Sequence, residues 1–186
     1  MITEMERGEA IEIVRRHISK ENNLKHMIAV GAIMKRVAEA LGEDAKSWEV
    51  VGILHDVDFE ECDGISDHTL KARDILGGIV SPDMIEAIMA HNYENTGVMP
   101  DTPLKKALIA SDAVSGLIVA AALVMPSRKL SEVKPEGLMK KFKSKEFARG
   151  CSRERISVCK EIGFGVDQFL GIALDGMRTA AAELGL

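Results

Sequence analysis

Histidines and aspartates are the residues here with most to offer chemically, because neutral imidazole and carboxylate both ligate divalent cations. His26 stands four, seven and eleven positions before Val30, Ile33 and Val37. Those spacings return to one face of a helix, so His26 is expected to point inward. His55 lines up in the same way with Trp48 and Val51, and Asp56 follows it directly. Asp112 shares a stripe with Leu108, Ile109, Gly116 and Val119. An inward carboxylate without a partner costs several kcal/mol or stays protonated, and a bound cation removes that cost. A lone inward histidine is more often a hydrogen-bonded core residue than a ligand. Two of them, an adjacent His-Asp pair and an inward Asp on three separate helices favour a metal site. His17, among Arg15, Arg16 and Lys20, reads as a solvated surface residue.

The elements that position these residues are punctuated by caps and breakers. Thr3 with Glu6 predicts a capping box ahead of Ile11, Val14 and Ile18. Asn22 or Asn23 is expected to cap a second helix that stops at Gly42, and a third runs from about Asp44 to His55. Ser66 or Asp67 opens a fourth, ending at Gly77-Gly78; Ser81-Pro82 opens a fifth, running to about His91. Thr102-Pro103 starts a long apolar helix that must end before Pro126. Lys134-Pro135 and Ser152 mark two more starts, and a final helix covers roughly 166–184. No alternating strand pattern, internal repeat or low-complexity segment is visible, so the predicted fold is all-α. In this frame His55-Asp56 and His91 sit at helix C-termini, where the dipole favours a cation. His68 falls in a first turn, where the dipole disfavours imidazolium and leaves a lone pair free.

The chain has 186 residues, 46% hydrophobic, 28% charged and 4% aromatic, the balance of one soluble helical domain. A net charge of −5 and few stacking platforms argue against nucleic-acid duplex binding. Residues 127–155 hold ten Lys or Arg against four Asp or Glu, a net of +6, so the rest carries −11. Such a run is either a solvated face or a basic wall for an anionic substrate. On the second reading Lys134, Lys140, Lys141, Lys143, Lys145 and Arg149 form a pool of phosphate contacts. Lys71 and Arg73, close after His68, are further candidates, as is Asn92 beside His91, with Asn95 nearby. Asp58 and Glu60 are candidate proton acceptors, though each taken singly reads more readily as an ordinary loop acid. The cysteines Cys62, Cys151 and Cys159 have no zinc-type spacing and are expected to be reduced. A charged first twenty residues and the lack of any span of roughly 20 apolar residues predict a cytoplasmic location without a membrane partner. A homo-oligomer remains open, since Phe169, Ile172, Leu174 and Met177 could form core or a dimer surface.

The order of LKHMIAV, GILHDVDFE and ALIASDAVSG resembles the HD superfamily of metal-dependent phosphohydrolases. DHTLKARDILGG with IMAHN resembles the additional histidines of its two-metal members, including HDIG-type proteins. The pair after His-Asp is Val57-Asp58 rather than Ile-Gly, so the strict HDIG signature is absent. The resemblance covers about residues 20–125, and VMPSRKLSEVKPEGLMKKFKSKEFARG beyond it is similar to a small family of predicted HD hydrolases. It implies an HD-type helical bundle: one domain over 1–186, a metal-binding core at 20–125, and a helical extension at 127–186 beginning with the basic segment. It further implies that His26, His55, Asp56 and Asp112 hold one divalent metal, and that Asp56 bridges to a second held by His68 and His91. Mn, Fe, Co, Ni, Zn or Mg would suit the thiolate-free ligand set.

The implied activity is hydrolysis of a phosphate ester of a nucleotide or related small molecule. The metal would draw the pKa of a water toward about 7, and Asp112 would orient that water. Two other readings share the ligand order. One is an oxygenase with a diiron centre, as in some relatives; the other is a non-catalytic, metal-stabilised ligand-binding module.

Overall fold

The computed structural model describes residues 5–186, so Thr3 of the expected capping box lies outside the described residues. Glu6 caps the first helix instead, in reciprocal contact with Glu9. That helix, α1, spans Arg7–His17. The second, α2 (Glu21–Leu41), starts slightly before the expected Asn caps and ends on Gly42, whose φ of 74° suits a residue without Cβ. Asp44 caps α3 (Ala45–Leu54) by accepting from the Lys46 and Ser47 N–H groups. Turns then run to α4 (Leu70–Leu76), which begins later than Ser66 or Asp67 and leaves His68 just ahead of it.

The Ser-Pro and Thr-Pro signals open α5 (Pro82–Ala90) and, after the short α6 (Tyr93–Thr96), the long α7 (Pro103–Leu123). A 3-10 turn at Leu130–Glu132 leads to α8 (Pro135–Lys143), and Ser152 caps α9 (Arg153–Ser157). After a second 3-10 turn, the predicted final helix is broken at Ala180 into α10 (Val166–Thr179) and α11 (Ala181–Leu184). No strand occurs among the described residues. By length and composition α7 is apolar enough to cross a membrane, but 61% of its most apolar stretch is buried inside the molecule. Phe169, Leu174 and Met177 are core, with Ile172 packed against them.

The middle of α2, from Met27 to Met34, is buried on every side. Glycines let its neighbours approach that closely. A Cβ on Gly52 of α3 would lie 2.7 Å from the Gly31 Cα, and one on Gly176 of α10 would lie 2.7 Å from the Ala32 carbonyl oxygen. Both obstacles are backbone, which cannot swing aside. His26 on α2 and the His55-Asp56 pair after α3 are therefore held by a helix crossing with almost no freedom.

Gly52→Ala is expected to destabilise the protein by about 2–3 kcal/mol. Gly171, in the middle of α10 with nothing within 4 Å of its would-be Cβ, makes the control. There an Ala should stabilise by about 0.5–1 kcal/mol. Denaturant midpoints of the two variants test the contrast.

Candidate metal centre

Six side chains from five parts of the chain converge: five line one cleft, and His55 is buried beneath it. His26 comes from α2, His55 and Asp56 from the end of α3, His68 from the turn before α4, His91 from the end of α5 and Asp112 from α7. The His26 Nε2 lies 3.2 Å from Asp112 Oδ1 and 3.5 Å from Asp56 Oδ2. The Nε2 atoms of His55, His68 and His91 lie 3.3, 3.1 and 3.3 Å from Asp56 Oδ1. Two ligand atoms each about 2.1 Å from one ion stand roughly 3.0–3.4 Å apart. Four of these five spacings fall in that range; the fifth is 3.5 Å, and His55 Nε2 stands 3.8 Å from Asp112 Oδ1.

The opposite edges of the rings explain why every Nε2 faces the centre. His55 Nδ1 donates to the Gly52 carbonyl at 2.8 Å and His91 Nδ1 to the Ile88 carbonyl at 2.5 Å. His68 Nδ1 donates to Asp58 at 2.9 Å. His26 Nδ1 meets the Ser115 hydroxyl at 3.2 Å, whose own hydrogen goes to the Asp112 carbonyl. With Nδ1 protonated, each Nε2 carries its lone pair inward. The Nε2 atoms of His68 and His91 are only 3.0 Å apart, an arrangement that needs a proton or a cation between them. His55 Nε2 is fully buried without a hydrogen-bond partner, as expected of a nitrogen reserved for a metal. His26, His55 and Asp112 form one group able to hold an ion; His55, Asp56 and His91 form another.

The electrostatics agree. Burial alone would push the Asp56 carboxyl up, but the surrounding imidazoles, His55 and His26 foremost, hold it well below the usual range. Asp112 is likewise lowered against its burial, chiefly by His26. Burial opposes charge on His26, yet Asp112 and Asp56 lift it to about 10. His68 rises in the same way to about 9, on Asp56 and Asp58, whereas burial keeps His91 down. Without a metal the carboxylates thus draw protons onto the very nitrogens that would ligate it. Cys62 joins Asp58 and His68 in a further grouping, but burial and the Asp58 charge push its thiol up to about 11. It presents S–H rather than thiolate.

Several predicted contacts have other work. Asp58 is fully buried and accepts from His68, from Thr69 N–H at 2.7 Å and from Ala72 N–H at 2.9 Å. It therefore caps α4 and orients a ring, with no free edge for proton transfer. Thr69 needs that anchor, since its φ of 71° is strained for a β-branched residue. Glu60 accepts from the Ser19 and Lys20 N–H groups, the Ser19 hydroxyl and the Asn23 amide. These bonds, the Ser19 hydroxyl first, bring its carboxyl down to about 2 and place it at the positive end of α2. Lys71 donates to the Glu61 carbonyl and Arg73 pairs with Asp74, both outside the cleft. Asn92 lines the cleft as predicted, with its amide donating to the Ile65 and His68 carbonyls at 2.8 and 2.9 Å, so that it also holds a loop.

None of Lys134, Lys140, Lys141, Lys143, Lys145 and Arg149 lines the cleft. Lys141 lies over the Phe147 ring, Arg149 pairs with Glu146, and the others are exposed. Arg153 organises that loop, donating to the carbonyls of Lys141, Phe142, Ser144, Phe147, Ala148 and Cys151. The cation that does reach the cleft is Arg155, from the same basic stretch. It pairs with Glu94 at 3.1 Å and donates to the His91 carbonyl. The cleft encloses about 560 Å³, and Phe59, Ile65, Asn23 and Asn95 complete its walls. Ser152, three residues earlier, was the only local sign that a helix would present Arg155.

No protein-family model matches the chain, and no solved structure matches it. Over 109 residues, 54% of this chain, it is 32% identical to Ribonuclease Y 2 of Bdellovibrio bacteriovorus. That stretch covers 19% of the ribonuclease, so the chain spans about a fifth of the length of the curated relative it matches.

Imidazole must lose its proton before it can ligate. Divalent-cation affinity should therefore rise with pH toward about 9–10, and uptake at pH 7 should release a proton from each of His26 and His68. Titration calorimetry in buffers of different ionisation enthalpy counts them. In the metal-free protein the same two shifts stabilise the fold fully below pH 6.5 and lose effect as pH rises through about 9 and then about 10. Asp58→Asn should weaken cation binding roughly 10–100-fold by releasing the His68 ring, which the same titrations measure.

Proposed function

We propose that this protein is a divalent-metal-dependent phosphohydrolase acting on a small phosphate ester, with His26, His55, Asp56 and Asp112 holding one ion and Asp56, His68 and His91 a second. The observation that carries this reading is the inward convergence of four Nε2 lone pairs on two carboxylates at the floor of an open cleft. The order of those residues along the chain, which resembles the HD superfamily, supports it. So does the partial likeness to a ribonuclease, whose name denotes cleavage of a phosphate ester.

A divalent cation in this site supplies Lewis acidity, drawing the pKa of a water toward about 7 and neutralising phosphoryl charge. Asp112, ionised at neutral pH and 26% exposed at its side chain, orients the attacking water by accepting its hydrogen bond. Arg155 is the cation among the cleft-lining residues and takes the phosphoryl oxygens in a charge-assisted contact. Glu94 holds its guanidinium in place until the substrate anion arrives. A single lining cation favours a small substrate over a long nucleic acid, whose binding draws on several phosphate contacts.

A panel of phosphate mono- and diesters, assayed with Mn, Fe, Co, Ni, Zn and Mg beside an Asp56→Ala variant, tests the reading. Phosphate release should require a cation and fall at least about 1,000-fold in the variant, on the scale of losing a transition-state charge contact. Arg155→Gln should raise KM about 10–100-fold with metal content unchanged. No release with any cation sinks the hydrolase; bound iron with oxygen uptake in its place would substitute the oxygenase reading.

A further inference from the structure

Two of the six exposed large apolar side chains among the described residues line the candidate metal cleft. Phe59 is 50% exposed and Ile65 63%, whereas His91 at the floor and His55 beneath it are buried. Phe59 and Ile65 therefore stand at its open edge. Their positions are built. The Phe59 N–H donates to the Asp56 carbonyl at 3.0 Å, and the Phe59 ring meets the His68 ring edge to face, with centroids 5.7 Å apart. The Ile65 carbonyl accepts from Asn92, a side chain buried beside His91 that also grips the His68 carbonyl. The backbone that displays each apolar group is thus tied directly to a ligand-bearing segment. The other rim residues, Asn23, Glu94, Asn95 and Arg155, are polar. What sets these two apart from other exposed apolar residues is their place: both line the one cleft that holds the imidazoles and carboxylates.

We infer that Phe59 and Ile65 form an apolar lip that receives a flat ring of the substrate, so the substrate class is a phosphate ester carrying a planar, apolar group. This rests on the phosphohydrolase reading and narrows it. An aromatic ring offers a face to another ring at little entropic cost, and a branched side chain lining the same cleft adds apolar surface. The phosphate lies over the imidazoles near Arg155 while the ring leaves the polar floor and covers Phe59.

Titration calorimetry of the cation-loaded protein with phenylphosphonate and methylphosphonate separates the two halves of the ligand without turnover. Phenylphosphonate should bind about tenfold tighter, as expected for one aromatic stacking contact. Phe59→Ala should reduce that preference to within about twofold and leave methylphosphonate affinity unchanged, while Phe59→Tyr keeps the preference. Because Phe59 is half exposed, the Ala variant should stay folded and melt only slightly below the wild type, which a thermal melt checks. If methylphosphonate binds and the phenyl group adds nothing, or its advantage survives Phe59→Ala, the lip is overturned and the phosphohydrolase stands. If neither phosphonate binds, both fall. Loss of a concentration-dependent dimer in Phe59→Ala, with no ring preference in the wild type, would make the lip a contact between copies and overturn it as a substrate site.

Discussion

The Asp56 carboxylate is the demand around which this molecule is arranged. It sits below a cleft at the end of α3, within 3.5 Å of four imidazole nitrogens whose other edges are already committed. A negative charge in that position needs positive charge in return, supplied by protons on His26 and His68 or by a cation. Everything nearby serves to hold the nitrogens in place while that exchange happens. The backbone-to-backbone crossing of α2 and α3 fixes two ligand-bearing segments. Asp58 fixes a third, and the Gly52 and Ile88 carbonyls fix ring orientation from helix ends.

How much of this was readable beforehand follows the range of the forces involved. Ser81-Pro82 and Thr102-Pro103 announce α5 and α7 because capping and proline stereochemistry act within four residues. His26, His55 and Asp112 were legible as inward residues because a 3.6-residue period records which face a core will take. Asp58 and Glu60 were not, since their partners lie 11 and 41 positions away at Thr69 and Ser19. An acid beside a His-Asp pair looks the same whether it moves protons or caps a helix. Arg155 was hidden among ten basic residues of a segment whose other members face solvent or pair locally. Ser115 stands in an apolar helix with no pattern to single it out, yet its hydroxyl links the His26 ring to α7. Gly52 and Gly176 leave no periodic trace either, because a glycine inside a helix lowers propensity wherever it stands.

Charge is distributed to match. The chain outside 127–155 is acidic, and two of its carboxylates, Asp56 and Asp112, stand among the imidazoles of the cleft. The excess of lysine after residue 127 stays away from the cleft, so the imidazoles and carboxylates able to hold an ion do not face a wall of ammonium groups. One guanidinium is admitted, and Glu94 balances it. The result is a site whose field is governed by what it binds rather than by a fixed cationic lining.

The carbonyl cage around Arg153 has a dynamic corollary. Six peptide oxygens between 141 and 151 turn toward one guanidinium, and Ala148 adopts a left-handed conformation at φ 48° within that loop. Beyond the last turn of α8 those peptides have no repeating helical ladder of their own, so the loop and α9 are tied together as one cooperative unit. Arg155 rides on that unit. Its residence at the cleft is thereby tied to the integrity of a lysine-rich loop that never touches the metal centre, and slow hydrogen exchange should extend from α9 back through the loop rather than stop at the helix boundary.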